Sequence, residues 1–492
     1  MSIIPHKQLT LADIFEDCQE MFENDKPSFL TLLASHINLD EIVPSTFSLH
    51  FSASTGRPRK YTLYSMLWAL IIQRIFSIPT DSLLICFLNY SSELRLFCGF
   101  DKVPDASKFT RFKQDFKSDL LALFENLVDI TEPICQEINS HLASMTVYDS
   151  SGIEAYVTEN NPKYANSKIR QLKAYAKAMH FDSGYDPYKA AYGSMPSHAS
   201  ANPEVKQLYI DGHFCYAFKF GIVTNGLGIV RHLDFYNKDY FKKHPQIKLS
   251  SKTDSPDEDK SAHDSKLLIP TLTDMFNAHP TMQPDVFLGD AAFDTIDIYK
   301  QLLTGDTFGN NKHFHKAYIP LNSRSAPQHP DYKLNANGIP CCPKDDNLPM
   351  KPEGNTSNLR CGLHTFKFVC PKMTWDKGAD GKHHRTCHCD NPCTPSKSGR
   401  MIYIYPEKDL RSFPGAIRGT DEWDKTYKIR TTVERSINHF KYSYGLAGRK
   451  TQNEDTIHAD LILSGITQLI TVLLANAIKH PECIRTVRSL IS

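Results

Sequence analysis

The apolar residues of the first 140 positions recur at the spacing of helices. Leucine, isoleucine and phenylalanine side chains return every three or four residues, which places them on one face of a helix. Short polar stretches separate these runs from each other. The pattern predicts an all-α N-terminal region with helices at residues 12–22, 28–36, 62–76, 80–97 and 119–138.

From Met145 onward the apolar pattern changes to that of β-strands. A short run ends in Asp149 and is followed by Ser150-Ser151-Gly152, which is typical of a turn. Two later runs flank Asn225-Gly226, the strongest short signal for a β-hairpin. We therefore predict strands at residues 145–149, 216–223, 228–235, 285–288 and 401–405.

Helical spacing returns in the C-terminal half of the chain. It predicts helices at residues 295–303, 424–442 and 455–479. Residues 157–206 differ from their surroundings and are predicted to be an inserted segment. There basic and aromatic residues alternate, namely Lys163, Lys168, Arg170, Lys173, Lys177 and Lys189 with Tyr164, Tyr175, Tyr185, Tyr188 and Tyr192.

The longest apolar runs are too polar to predict membrane spans. Residues 63–78 are interrupted by Gln73 and Arg74, and residues 461–478 by Ser464, Thr467 and Gln468. A spanning helix needs about 20 predominantly apolar residues, so both runs are expected to be buried helices. The N-terminus also lacks the basic and apolar segments of a secretion signal. We expect a cytoplasmic, nucleoid-associated protein without a membrane partner.

Composition describes an ordinary globular chain with a locally concentrated charge. The 492 residues are 41% hydrophobic and 23% charged, which argues against a disordered, collagen-like or coiled-coil protein. Lys and Arg number 56 against 55 Asp and Glu, so net charge predicts neither nucleic acid nor membrane as a partner. Any basic surface must therefore be confined to part of the chain.

Two basic clusters in the N-terminal region are candidates for such a surface. One is the turn with Arg57, Arg59 and Lys60, and the other is the helix start with Lys108, Arg111 and Lys113. Both could contact phosphates. The alternative is a solvated loop and the polar face of an amphipathic helix.

Two acids, Asp149 and Asp290, follow β-type runs. A carboxylate at a strand end lies at the edge of a sheet, where active sites collect, although such an Asp is often only a turn former or helix cap. A third acid comes from the predicted helix 424–442. At about 100° per residue, its Tyr427, Arg430, Glu434 and Lys441 share one stripe. The alternative is an ordinary Arg–Glu ion pair on a solvated face.

The spacing Tyr427-x2-Arg430-x3-Glu434-x6-Lys441 resembles the signature of one large branch of the DDE transposases of insertion sequences. The sequences around Asp149 and Asp290, at residues 147–151 and 288–294, are similar to the acidic motifs of that family. His263-Asp264-Ser265-Lys266 resembles a short motif that often precedes the second strand of that family. Residues 56–112 resemble the N-terminal domain common in such transposases, and the resemblance covers most of residues 50–475.

The resemblance implies an α/β fold with an RNase H-like mixed sheet, flanked by helices. Asp149, Asp290 and Glu434 would hold two Mg²⁺ ions, with Mn²⁺ as a substitute. Tyr427, Arg430 and Lys441 would contact phosphates of the transposon end. It further implies Mg²⁺-dependent cleavage and strand transfer of double-stranded DNA, with transposon ends and target DNA as partners. Synapsis of two ends implies a homodimer.

The predicted elements and the resemblance together give four units. Residues 1–140 form a helical DNA-binding domain, and residues 141–305 form the first part of the catalytic core. Residues 306–410 form a Cys-rich insertion, and residues 411–492 complete the core with the helix that bears Glu434.

Seven of the 13 cysteines lie between Cys341 and Cys393. Clustering in a reducing compartment favours metal ligation over disulfides. The preferred ligands of a structural Zn²⁺ are Cys361, Cys370, Cys387 and Cys393, with Cys389 as the substitute. The alternative is a set of free thiols in a loop-rich segment.

Two other functions remain open at this stage. A nuclease with the same core would hydrolyse DNA without strand transfer, and a domesticated DNA-binding protein would have lost catalysis. The presence of all three acids argues against the second. A generic metallohydrolase would need a His-rich ligand pattern, and the 21 histidines show none.

Overall fold

The computed structural model describes residues 29–52, 58–181, 184–210, 213–249, 262–322, 329, 332–360, 363–487 and 490. The predicted helix at residues 12–22 lies outside them. The N-terminal part is helical, as predicted. Its helices are α1 Phe29–His36, α2 Leu39–Ile42, α3 Ser45–Phe51, α4 Leu63–Ile75, α5 Asp81–Tyr90, α6 Ser92–Phe97, α7 Ala106–Asp115 and α8 Lys117–Ala143.

Polar caps fix where these helices begin. The Thr62 side chain accepts from the Ser65 N–H at the start of α4. Residues 80–97, predicted as one helix, are two helices because the Ser91 side chain accepts from the Leu94 N–H and starts α6 there. Such a cap satisfies an N–H that has no partner within the helix.

A mixed sheet of six strands forms the centre of the molecule. Strand β1, Met145–Glu154, pairs antiparallel with β3, His213–Thr224, and parallel with β5, Val286–Leu288. β5 continues in parallel to β6, Lys316–Tyr318. Two further strands, β2 Lys206–Ile210 and β4 Val230–Phe235, pair antiparallel with β3.

The predicted turn after Asp149 is wrong. β1 runs on through Ser150 and Gly152 to Glu154 because these residues stay paired with β3. Glycine is needed here for packing, since a Cβ at Gly152 would lie 2.1 Å from Cδ1 of Ile210. The Ser-Ser-Gly sequence therefore allows close strand packing rather than a turn.

The predicted hairpin at Asn225-Gly226 is confirmed between β3 and β4. The Asn225 side chain accepts from the backbone N–H groups of Leu227 and Ile229 and so closes the turn. Residues 157–206, predicted as an insert, contain two helices that pack against each other. These helices are α9 Pro162–Ala178 and α10 Pro187–Ser194.

Helices and short β-structures complete the chain. The remaining helices are α11 Lys238–Lys243, α12 Asp264–Ala278, α13 Ile296–Leu303, α14 Asp421–Tyr427, α15 Thr431–Asn438 and α16 Glu454–Ala477. The Cys-bearing region, predicted as an insertion, is β-rich. Its strands are β7 Cys341–Cys342, β8 Asp345–Pro349, β9 Lys351–Arg360, β10 Leu363–Val369, β11 Met373–Lys377, β12 His383–Cys387 and β13 Met401–Ile404.

Helix α16 lies at the centre of the hydrophobic core. One buried cluster joins it to the N-terminal helices and to the sheet, so residues 29–143 share a core with the rest of the chain. By length and composition α16 could cross a membrane, but 89% of its apolar window is buried within the fold. This is typical of a core helix of a soluble protein.

A buried ion network links α16 to the N-terminal helices. Asp460 on α16 accepts from Arg74 at 2.6 Å and lies 3.2 Å from the Lys113 ammonium and 3.4 Å from the Arg449 guanidinium. Burial alone would raise the pKa of Asp460, but these three cations outweigh it and hold the pKa at about 2. Lys113 also pairs with Asp81 at 2.9 Å.

Candidate active site

Two of the predicted acids lie side by side on the sheet. The parallel register of β1 and β5 pairs Val147 with Leu288. Asp149 and Asp290 each follow two residues later, so they stand at the same level on adjacent chains and on the same face. Asp290 also caps the short helical turn after β5, since its side chain accepts from the Ala291 N–H at 2.6 Å.

Helix α15 brings the third acid to this edge. Its buried residues Val433 and Ile437 face the core, and the Ser436 hydroxyl donates to the Gly228 carbonyl at 2.6 Å in the β3–β4 turn. Gly228 has a φ of +78°, which favours glycine. The helix is therefore held by the hairpin, and Glu434 is left half-buried beside the two aspartates.

Arg430 joins all three acids. One terminal nitrogen of its guanidinium lies 3.7 Å from Asp149 and 3.9 Å from Asp290, and the other donates to Glu434 at 2.6 Å. The Arg–Glu pair expected from the spacing is present, but it is part of a larger cluster. The guanidinium thus lies where the three carboxylates converge.

The electrostatics of the site are dominated by burial and by Arg430. Burial raises the pKa of Asp149 to about 6, and Arg430 and the Ser150 N–H oppose that rise. Burial lowers the pKa of Arg430, but Asp149, Tyr427, Asp290 and Glu434 outweigh it and the pKa is raised. Asp149 is therefore a carboxyl that titrates near neutral pH.

An aromatic stack positions the Tyr427 ring next to these groups. Trp423 lies between Tyr318 of β6 and Tyr427, with ring centroids 4.9 Å and 5.5 Å away and nearly parallel planes. Burial raises the pKa of Tyr427, Arg430 opposes the rise, and Asp290, Glu434 and Asp149 add to it. Tyr427, Arg430 and Glu434 thus belong to one cluster, as the spacing predicts.

The predicted stripe does not extend unchanged to Lys441. Residues 424–442 were expected to form one α-helix, but a 3₁₀ turn occupies Lys428–Arg430 and a π-helical turn occupies His439–Ser443. Neither turn advances by 100° per residue. Lys441 is 3% exposed, within the π-helical turn.

A second polar cluster lies on the opposite face of β1. The Ser150 hydroxyl donates to Asp264 at 2.6 Å, and the Lys219 ammonium lies 2.7 Å from the same carboxylate oxygen. Burial raises the pKa of Asp264, but Lys219 and Ser150 outweigh it and the pKa is lowered. The sequence motif singled out Asp264, whereas Lys219 was missed. The pairing of β1 with β3 could have found Lys219, since it places Lys219 opposite Gly152.

The second Asp of the 288–294 motif has a structural role. Asp294 is buried and receives two hydrogen bonds from Arg411, at 3.1 Å and 2.6 Å. It also accepts from the Tyr299 hydroxyl and the Asn322 N–H. These bonds tie the turn after Asp290 to the residues that follow β13.

The two predicted basic clusters are only partly available to a ligand. Arg57 lies outside the described residues. Arg59 is exposed, but its guanidinium lies 4.8 Å from the ring centroids of Phe51 and Phe116. Lys113 is 1% exposed and held by the Asp81 and Asp460 carboxylates, so its assignment to a DNA surface was wrong. The basic side chains that remain exposed are Arg59, Lys60, Lys108 and Arg111.

The cysteines form a group that differs from the predicted set. Cys361 lies outside the described residues. Burial raises the pKa of Cys370, the Lys372 N–H opposes the rise, and the sulfurs of Cys387, Cys393 and Cys342 add to it. Cys342 thus lies near two of the predicted ligands, Cys370 and Cys393. All four thiols are free of disulfides.

Side chains must move before a metal ion can bind at the acidic cluster or at the group of cysteines. Among the described residues, no three His, Cys, Asp or Glu side chains are placed so that they could hold a metal ion. At the acidic cluster, the guanidinium of Arg430 lies between the potential ligands.

Comparison with known proteins gives one match, in the N-terminal part of the chain. Residues 16–115 match the family model described as Transposase domain (DUF772). No curated protein and no solved structure matches the chain. The matched segment covers about a fifth of the chain and includes α1 to α7. It supports a transposase family, whose members in general cut and join DNA.

Proposed function

We propose that this protein is a DDE-type insertion-sequence transposase with Asp149, Asp290 and Glu434 as its catalytic acids. One observation carries the proposal: three acids from separate segments, one on a central strand, one just after the adjacent parallel strand and one on a helix, converge on Arg430. An isolated Arg–Glu pair on a solvated helix would not need two further acids. The match of residues 16–115 to a transposase domain gives independent support.

The sheet topology supports an RNase H-like catalytic core. In this arrangement an antiparallel set of strands continues into parallel strands through one central strand. Here β1 is that strand, with β3 antiparallel on one side and β5 and β6 parallel on the other. Asp149 lies on the central strand and Asp290 follows its parallel neighbour, so the fold brings distant parts of the sequence to one place.

The donor set fits Mg²⁺, or Mn²⁺ as a substitute. Asp149, Asp290 and Glu434 offer hard carboxylate oxygens, and Asp290 and Glu434 are about half exposed, so substrate and water can reach them. When bound, a pair of such ions supplies charge that stabilises the attacking and leaving oxygens of phosphodiester cleavage. Arg430 must turn away from the carboxylates before they can serve as ligands.

The released Arg430 then has a role in binding DNA. A guanidinium binds phosphate oxygens in a bidentate manner, and Tyr427 lies beside it, fixed by the Trp423 stack. Lys441 completes the family signature, but its burial requires a local rearrangement before it can reach a phosphate. With Arg430 beside it, Asp149 has a pKa of about 6.

The DNA partner is proposed to be double-stranded, with transposon ends and target DNA bound by different surfaces. Lys60, Lys108 and Arg111 are exposed in the N-terminal region and are candidates for the first contacts. Two ends must be held together during transposition, so we propose a homodimer in the DNA complex. These roles agree with a nucleoid-associated protein of the cytoplasm.

We also propose a structural Zn²⁺ in the Cys-bearing region. Cys370, Cys387 and Cys393 are the first three ligands, and Cys342 is proposed as the fourth because its sulfur interacts with Cys370 and Cys393. Tetrahedral thiolate ligation suits zinc. Gly399, with a φ of +74°, lets its backbone pass close to Cys387 and Cys370, since a Cβ there would lie 3.3 Å from the Cys387 Cβ.

A joining assay separates a transposase from a nuclease with the same acids. The protein is incubated with Mg²⁺, a plasmid and a labelled oligonucleotide that carries a 3′-hydroxyl end from the DNA beside the gene. A transposase links the label to the plasmid. Plasmid cleavage without joining would favour the nuclease, and DNA binding without either reaction would favour the domesticated binding protein.

A further inference from the structure

Helix α9 presents an unusually open surface for its length. Ile169, 9% exposed, is the only buried residue of α9 among those described, and the helix packs mainly against α10. Its first turn is fixed by Asn161, which accepts from the Lys163 N–H, and by Pro162 at the first helical position. A stable helix start therefore leads into a helix with most of its surface in solvent.

One side of this helix is a basic stripe, formed by Lys163, Arg170, Lys173 and Lys177. At about 100° per residue the four side chains fall within about 80° of the helix circumference. All four are exposed, and α9 contains no acidic residue. From Lys163 to Lys177 the stripe is about 21 Å long at 1.5 Å per residue.

The partners of the stripe within the described part of the chain are neutral groups. Among the described residues, none of its four side chains forms a salt bridge with an acid. The Arg170 guanidinium donates to the Asn166 carbonyl at 3.4 Å, and the Lys173 ammonium contacts the Tyr188 hydroxyl at 3.0 Å and the ring at 4.6 Å. These partners are neutral, so four positive charges remain together in a chain whose net charge is only +1.

The stripe is tied firmly to the strand that carries Asp149. After β1 ends, a short 3₁₀ turn at Thr158–Asn160 leads into α9. The Asn160 side chain donates to the carbonyls of Ala155 and Tyr216 and accepts from the Tyr216 N–H, all at 2.7 Å. The helix start is thus fixed to β1 and β3, and a ligand on α9 has a defined relation to the acids.

We propose that the basic stripe of α9 binds the phosphate backbone of double-stranded DNA. This rests on the proposed function and adds a third surface to the N-terminal basic side chains and the Arg430 cluster. One DNA strand has a phosphate about every 3.4 Å along the helix axis, so the stripe can follow about six of them. Contacts of this kind position the DNA without reading its sequence.

The structure favours DNA over a lipid surface as the occupant. A helix that lies on a membrane inserts its apolar face between lipids. On α9 the apolar face is the one with Ile169, which is buried in the protein. Tyr175 of α9 is also exposed, but it lies about 160° from the centre of the stripe. The ligand of the basic face is therefore expected to be an extended polyanion.

The test compares three full-length proteins in a DNA-binding titration at several salt concentrations. The variant K163Q/R170Q/K177Q removes three charges of the stripe. The matched control is Lys168→Gln, because Lys168 lies on the opposite side of the same helix, about 180° from the centre of the stripe. Thermal unfolding checks that both variants are folded.

We expect the slope of log Kd against log salt to fall by about three for the triple variant, since each phosphate contact contributes about 0.9. Affinity at physiological salt should fall at least tenfold, and Lys168→Gln should stay within about twofold of wild type. Equal slopes for the wild type and the triple variant would overturn the inference while leaving the proposed function intact.

Two other results are also decisive. Wild-type protein that binds no DNA at all would contradict the proposed function together with this inference. Wild-type protein that floats with anionic phospholipid vesicles, and loses this in the triple variant without any change in DNA affinity, would assign the stripe to a membrane surface instead.

Discussion

Replacing Asp149 with asparagine should make the metal-free protein more stable while removing its activity. The Asp149 side chain is 24% exposed, and burial raises its pKa from 3.8 to about 6 despite the nearby Arg430. The ionised carboxylate is therefore less favourable in the folded protein than in the unfolded chain. The side-chain amide of the Asp149→Asn variant would keep an oxygen that can accept from the Ser150 N–H.

The size and sign of the effect follow from the pKa shift. A shift of one pKa unit corresponds to about 1.4 kcal/mol, so ionised Asp149 costs about 3 kcal/mol of the free energy of unfolding at pH 7.5. Between pH 3.8 and about 6 the folded state binds more protons than the unfolded state, so stability falls as pH rises. The advantage of Asp149→Asn should be about half as large at pH 5 and absent below pH 3.

Urea denaturation in the presence of a chelator measures this directly. Unfolding of wild type and Asp149→Asn is followed by tryptophan fluorescence at pH 5 and pH 7.5. Asp290→Asn is the matched control, because its side chain is 55% exposed and should change stability little. A variant that is less stable than wild type at pH 7.5, or an advantage that does not grow between the two pH values, would refute the reasoning.

Three further perturbations test other parts of the structure. Asp460→Asn removes the carboxylate that three buried cations share and leaves only Lys113 and Arg449 with a second acid, Asp81; it should lower the free energy of unfolding by about 3–5 kcal/mol, measured by urea denaturation, and a loss below about 1 kcal/mol would contradict the network. Cys342→Ser should remove about one Zn²⁺ per chain in metal analysis, whereas Cys341→Ser, at the neighbouring position, should not; zinc-free wild-type protein would contradict the site. The double change K108E/R111E should weaken DNA binding at least tenfold without altering the fold, and unchanged affinity would exclude this surface.

Much of the fold could be predicted from the pattern of apolar residues. The helices around residues 63–75 and 454–477 and the hairpin at Asn225-Gly226 are confirmed because local spacing and turn chemistry both favour them. The prediction of a turn after Asp149 was wrong because Gly152 leaves room for the side chain of Ile210, which is about 60 residues away in sequence. Such a long-range contact leaves no local signal.

The sequence predicted that some residues of the acidic cluster lie together, but not the geometry of the cluster. The spacing of residues 427–434 brought Tyr427, Arg430 and Glu434 together correctly, because most of that segment is helical. It could not reveal that Arg430 bridges three acids, since that depends on the register of two parallel strands. The burial of Lys441 follows from a π-helical turn, which a fixed advance of 100° per residue does not anticipate.

The most direct test of the central claim is Mg²⁺-dependent cleavage of a plasmid that carries the DNA flanking the gene, by wild type and by Glu434→Gln. The amide keeps the shape of Glu434 but removes the charge needed at a divalent ion. Glu422→Gln is the matched control, an exposed acid on the preceding helix. We predict cleavage by wild type and Glu422→Gln, none by Glu434→Gln, and DNA affinity within a few-fold for all three. Cleavage by Glu434→Gln at the wild-type rate would contradict the catalytic role of the three acids.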